Sequence, residues 1–235
     1  MTKGKTQIMT AFTLKMIALT TMLIDHFAHV FGGRLVFALV PAMRTVGRLA
    51  FPIFVYFIGE GFRRTANAKK YLTRLGIFAL ISEIPFDLAI NGVWLEFGHQ
   101  NIFFTLFLGL LAAHIYSTCI NNYGRLFILL PLPFAAAVVL QADYGLIGVV
   151  LVFTCSIIES RTARLLALAI GGLALYYPMG EIFNAMMLIG YTCALVLLSR
   201  YNEEQGPRMK WLFYSFYPLH LLALAGLLVL YESLA

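Results

Sequence analysis

Nine apolar stretches separated by short polar gaps leave this chain few ways to fold. They cover residues 12–31, 46–62, 71–90, 101–120, 124–140, 144–158, 162–178, 182–199 and 211–231. Several approach the ~20 residues a helix needs to cross a bilayer. A spanning strand would alternate polarity and need a closed barrel, whereas the runs at 106–113 and 221–230 do not alternate. The pattern predicts an all-α, polytopic helical membrane protein with about nine transmembrane helices. The range is eight to ten, because 144–158 and 162–178 are short. The gaps leave no room for a linker and no internal repeat stands out, so one domain over residues 1–235 is expected.

Charge supports this reading. Hydrophobic residues make up 61% of the chain and charged ones 12%, too few to coat soluble domains of this length. A disordered tail, a collagen-like fibre and a coiled coil are excluded on the same ground. The net charge of +6 would raise nucleic-acid binding in a soluble protein. Here the basic residues gather in alternate gaps instead, and no nucleic-acid partner is expected. With nine spans, 14 of the 17 Lys and Arg fall on the side of the N-terminus, among them Lys3 and Lys5, and only Arg34, Arg44 and Arg48 on the other. The positive-inside rule then puts the N-terminus in the cytoplasm and the C-terminus outside. The first stretch carries Asp25 and His26 and is followed by further spans, so it reads as a retained helix rather than a signal peptide. Cys119, Cys155 and Cys193 are scattered, which predicts neither a disulfide framework nor a metal site.

Ionisable residues inside apolar stretches are costly and mark cavities or partners. Asp25, Glu83, Asp87, Asp143 and Glu181 lie toward the outer ends of spans, and Glu60 toward an inner end. His26 is the best general-base candidate, since imidazole titrates near neutrality. Asp25 points about 100° away from it on a helix, so it is not automatically that histidine's orienting carboxylate. Lys15, eleven residues earlier, shares the His26 face roughly 16 Å down the axis. That spacing suits a long anionic donor, or else a snorkelling lysine and a structural histidine. Arg44 and Arg48 are four apart and share a face, with Pro52 expected to bend the helix after them. Glu83 and Asp87 are their expected partners, as an ion-pair lock or as a pocket for substrate or developing negative charge. Asn101 lines the same outer mouth. In the last span Tyr217 and His220 share a face beside Pro218, a second candidate catalytic or positioning site.

The runs Leu14-Lys-Met-Ile-Ala-Leu, Met22-Leu-Ile-Asp-His26, Gly47-Arg-Leu-Ala-Phe-Pro-Ile-Phe54, Glu60-Gly-Phe62 and Tyr71-Leu-Thr-Arg-Leu75 occur in order. Ser82-Glu-Ile-Pro-Phe-Asp-Leu88, Asn101-Ile-Phe-Phe-Thr-Leu106, Ala142-Asp-Tyr-Gly145 and Tyr217-Pro-Leu-His220 follow. Together they resemble the TraX family, named after the conjugative pilin acetylase of F-like plasmids, over nearly the whole chain. That family is similar in turn to integral-membrane acyltransferases with a basic residue, ten intervening residues and a histidine in the first span. Lys15 and His26 match that pair.

The resemblance implies an acyltransferase-3-like bundle in a bacterial inner membrane, with acetyl-CoA as donor. It implies that His26 sits where the donor thioester meets the acceptor; beside it, the reading of the residues gives Asp25 and His220 as further catalytic candidates and Arg44, Arg48, Glu83, Asp87, Asn101 and Tyr217 as substrate-binding ones. The donor's phosphate-bearing end is expected near Lys15 and the basic run Arg63, Arg64, Lys69, Lys70 and Arg74. The acceptor is a small molecule, a glycan or a peptide such as pilin, offering an amine or a hydroxyl at the outer half of the membrane. Two other classes remain open: a proton-coupled transporter, and a non-enzymatic membrane partner in pilin or envelope assembly.

Overall fold

Thr10 starts the first helix by taking an extended backbone and accepting the Thr13 N–H on its hydroxyl at 3.2 Å. Two more donors of that first turn are satisfied from far along the chain. Ala11 N–H donates to the Glu204 carbonyl at 2.8 Å, and Phe12 N–H to the Gln205 carbonyl at 3.1 Å. Gly206, at φ +66°, permits this wrap, since a Cβ there would lie 2.9 Å from Phe12 Cβ.

The computed structural model describes residues 8–177 and 182–234; Lys3, Lys5 and Glu181 lie outside them. Its helices are α1 Ala11–Phe31, α2 Leu39–Gly47, α3 Ala50–Arg64, α4 Ala68–Phe86, α5 Ile102–Cys119, α6 Tyr123–Leu129, α7 Pro131–Val139, α8 Gly145–Ile157, α9 Arg161–Tyr176, α10 Ile182–Ser199 and α11 Lys210–Leu234. Each apolar stretch is therefore mainly helical over its described residues, and no β-strand occurs among them.

Two stretches are divided. The one expected over 46–62 starts earlier, as α2, and breaks at Arg48 and Leu49 before α3. Pro52 therefore lies in the first turn of α3, where its missing N–H is no loss, and does not bend a helix interior as expected. The stretch over 124–140 divides into α6 and α7 at Leu130, with Pro131 opening α7. Pro85, by contrast, does sit inside α4, and a five-residue π turn follows at Asp87–Asn91.

Five segments are long and apolar enough to cross a membrane: Ala11–Arg34, Leu39–Arg64, Ile102–Cys119, Ile182–Ser199 and Lys210–Leu234. The other helices fall short in length or apolarity. Outward faces carry Leu80, Val139, Ile170, Val196 and Val229, all exposed. A water-facing surface would not sustain so many large apolar side chains, and a multi-pass helical membrane protein accounts for them.

Packing gathers the chain into two compact units. One runs to Phe54, adds Leu88–Gly92 and resumes at Gly172; the other comprises Val55–Asp87 and Val93–Gly171. In the first, α1 packs on α2 and α11, and α10 packs on α2. A Cβ at Gly190 would lie 2.9 Å from the Thr45 carbonyl carbon, so α10 and α2 meet backbone to backbone there. Helices α1 and α11 run parallel, as three successive pairs show: Phe12 with Phe213, His26 with His220, and Arg34 with Glu232.

In the second unit α5 packs on α4, α7 and α8, with Leu108, Val149 and Ala137 buried together. Gly109 sets the α5–α8 distance, because a Cβ there would lie 2.7 Å from Val152 Cγ1 and 2.9 Å from the Val149 carbonyl oxygen. Gly109→Ala should cost about 1–3 kcal/mol by overpacking. Thermal unfolding in detergent checks this, and an unchanged midpoint would mean that the two helices part without cost.

Candidate functional site

Two helices of the first unit bring the sequence-separated histidines together. His26 Nδ1 and His220 Nε2 are 2.7 Å apart. The rings lie 11° from coplanar with centroids 5.0 Å apart. Rings stacked face to face could not combine that centroid distance with so short an N···N contact. The imidazoles meet edge to edge, nearly in one plane, which aligns an N–H with a lone pair.

A third group sets the direction of this bond. His220 Nδ1 lies 2.7 Å from the Phe216 carbonyl oxygen. A carbonyl only accepts, so Nδ1 carries the proton. A neutral His220 then offers Nε2 as acceptor, and His26 must donate from Nδ1. Neutral His26 is left with a bare lone pair on Nε2, the form required of a general base. Tyr217 is buried and packs edge-on to both rings, at 5.8 Å from His26 and 5.6 Å from His220. Phe216 covers the other side of His220 at 4.8 Å. His26 is half-buried and His220 buried.

Asp25 does not reach for His26. It is 7% exposed and accepts from Arg44 Nη1 at 3.0 Å and from Arg48 Nη2 at 2.7 and 2.6 Å, on its two oxygens. Gly47 makes room for it: a Cβ there would lie 2.5 Å from Asp25 Cγ. Asp25 is thus a carboxylate partner of both arginines that the expectation of Glu83 and Asp87 did not name. One carboxylate thus holds two guanidiniums in a mostly buried place. Lys15, near the start of α1, sits with its ammonium 5.3 Å from the Phe213 ring centre.

Glu83, Asp87 and Asn101 belong to the second unit. Asn101 caps α5, its Oδ1 accepting the Phe103 N–H at 3.0 Å. Its Nδ2 donates to the Ala79 carbonyl at 2.8 Å and to Glu83 Oε2. Asp87 Oδ2 accepts the Glu96 N–H at 2.7 Å. Asn101→Ala removes the cap and the donor on a buried carboxyl together, and should cost about 1–3 kcal/mol. Chemical or thermal unfolding checks this; a loss within error of zero would mean that water replaces both contacts.

Of the expected donor-binding residues, Arg63 and Arg64 are engaged with Glu60 in α3. Lys69 and Lys70 are exposed on the first turn of α4, and Arg74 lies over the Tyr71 ring at 5.5 Å. Arg164 joins Glu60 as well, at 2.7 Å. Arg164 and Gly47 carry parts of these contacts that no motif in the sequence assigns to them. The available signals were an arginine inside an apolar helix and a glycine one residue before Arg48.

A family model described as TraX protein matches residues 11–228. A relative from Dichelobacter nodosus, named probable fimbrial assembly protein FimC, serogroup H1, is 31% identical over 237 residues. The alignment covers 92% of this chain and 94% of that protein. No solved structure matches the chain.

Proposed function

The chain belongs to the TraX family, and from that premise we propose that it is an integral-membrane acetyltransferase. It moves an acetyl group from cytoplasmic acetyl-CoA to an amine or hydroxyl at the outer half of the bacterial inner membrane. The observation that carries this reading is the relay from the Phe216 carbonyl through His220 to His26, which leaves the His26 Nε2 lone pair available.

In this mechanism His26 Nε2 takes the proton from the acceptor's nitrogen or oxygen as that atom attacks the thioester carbonyl carbon. The new C–N or C–O bond forms and the C–S bond breaks. His26 then returns the proton to the departing sulfur. The imidazolium that exists between these steps keeps its Nδ1–H on His220 Nε2, which fixes ring orientation and spreads the charge. The guanidiniums of Arg44 and Arg48, held by Asp25, favour an anionic group nearby, either on the acceptor or on the developing oxyanion.

The parallel run of α1 and α11 supports the expected topology. If both helices cross, the number of crossings is odd and the chain ends on opposite faces. The expected nine spans, with the N-terminus cytoplasmic, satisfy that parity. The name of the Dichelobacter relative favours a fimbrial or pilin subunit as acceptor, through its α-amine.

The test is transfer of labelled acetyl from acetyl-CoA by protein purified in detergent. A pilin-type peptide with a free α-amine and a panel of hydroxyl acceptors serve as substrates. Stoichiometric free thiol and acetylated product are expected. Folded protein that neither releases thiol nor labels any acceptor would sink the enzyme reading. The same relative's name also favours a non-enzymatic assembly role. Restoration of fimbrial assembly by a His26→Ala protein would decide for that reading.

A further inference from the structure

The run Glu60-Gly-Phe62 belongs to no part of the histidine relay, yet it forms the centre of a second charged cluster. Glu60 Oε2 accepts from Arg63 Nη2 and from Arg164 Nη1, both at 2.7 Å, and Oε1 meets Arg64 Nη2 at 2.5 Å. Three guanidiniums thus share one carboxylate, leaving a net charge of two. Arg164 is 6% exposed, lies over the Tyr56 ring at 4.5 Å, and has a buried Nε with no hydrogen-bond partner. Arg63 Nη1 donates to the Cys155 carbonyl.

The flanking glycines press neighbours onto this cluster. A Cβ at Gly59 would lie 2.6 Å from the Cys155 carbonyl carbon, and one at Gly61 would lie 3.0 Å from the Tyr71 hydroxyl. Arg63 is therefore held by the α8 backbone and Arg164 by the Tyr56 ring, with Tyr71 of α4 close against the α3 backbone beside them. Only Arg64, whose side chain is 52% exposed, is an open arm.

A lone ion pair does not require three arginines. With Arg64 half exposed, Arg63 and Arg164 still leave one positive charge beyond Glu60 in a largely buried place, which is costly unless a counter-charge arrives. Rigid guanidinium forks match the oxygens of a phosphate, and a phosphate has enough of them to meet several forks at once, which a spherical chloride cannot. We infer that Glu60, Arg63, Arg64 and Arg164 form a binding site for a dianionic phosphate monoester, with Glu60 holding the arginines in place until the phosphate displaces part of its contacts. This deepens the acetyl-CoA reading, on which the identity of the ligand rests: the donor's nucleotide carries such a monoester. The same chemistry is offered by a phosphatidic acid headgroup.

The experiment measures binding of CoA and of 3′-dephospho-CoA to the purified full chain in detergent. The monoester-bearing form should bind the wild type about tenfold or more tightly than the dephospho form. Arg64→Gln, at the exposed arm, should bring that ratio close to one without disturbing packing, and Arg164→Gln should do the same if it folds. Glu60→Gln should raise affinity for the monoester several-fold, because the internal competitor is gone. A parallel arm uses inorganic phosphate and nanodiscs containing either phosphatidic acid or phosphatidylcholine. If CoA fails to bind while inorganic phosphate or phosphatidic acid binds in an Arg64-dependent way, the phosphate site stands and the acetyl-CoA reading falls. Equal binding of CoA and dephospho-CoA, or an unchanged preference in Arg64→Gln, overturns the site for the nucleotide. Absence of Arg64-dependent binding in every arm overturns it altogether.

Discussion

His26→Ala should lower acetyl transfer to a hydroxyl acceptor by about 10²–10⁴-fold, the usual contribution of a positioned base. The loss should be smaller for an α-amine, whose pKa near 8 leaves part of it neutral at working pH. Comparing the two losses therefore reports the acceptor class as well as the base. The His220 series is more discriminating. His220→Ala removes the acceptor for His26 Nδ1–H and frees the ring to rotate or change tautomer. His220→Gln can set an amide oxygen where Nε2 now lies, 2.7 Å from His26 Nδ1. Activity should order as wild type, then Gln, then Ala, with folding and donor affinity retained. Rescue by glutamine is not expected if His220 only fills space, and Gln no better than Ala would remove its positioning role. Full activity in His26→Ala would remove the base.

Asp25→Ala should be the most damaging substitution to stability, at about 3–5 kcal/mol, the range for leaving a buried charge without its partner. Both arginines lose their shared counter-charge, with side chains only 24% and 14% exposed. Gly47→Ala should damage the same contact from the other side, because the new methyl group occupies the space of the Asp25 carboxylate. Yield of monodisperse protein and its unfolding midpoint measure both. A triple variant that also replaces Arg44 and Arg48 by methionine should recover much of the Asp25→Ala loss, since neither guanidinium is then left without Asp25. Wild-type stability in Asp25→Ala alone would mean that the arginines face water.

Much of the helical layout was legible in the one-dimensional pattern. Apolar runs of helical length give the same segments whatever packs against them, because every backbone polar group must be satisfied within the segment in a bilayer. The interruptions were harder. Arg48 and Leu49 break a run whose composition is continuous, and Pro52, which draws attention in the sequence, sits where a helix begins. Site residues were legible as types. His26, His220, Arg44, Arg48 and Asp25 stood out because charged and imidazole groups are expensive in apolar surroundings.

The partners were not legible. Glu83 and Asp87 are the carboxylates the sequence suggests for Arg44 and Arg48, yet Asp25 holds both. The choice of Asp25 depends on α2 folding back along α1 at Gly47, a contact between residues about twenty apart. The Glu60 cluster needs Arg164, 104 positions away, and no periodicity within either helix announces it. The sequence by itself determined that the chain is helical and apolar, where its helices run, and which side chains are too costly to lie idle. Those are properties of single segments and of transfer energy. The tertiary structure decided which carboxylate holds which arginine, and that the His26 and His220 rings meet in one plane with the proton direction set by the Phe216 carbonyl. Such facts depend on the rotation and register of one helix against another, which side-chain packing fixes to within an ångström and composition does not encode.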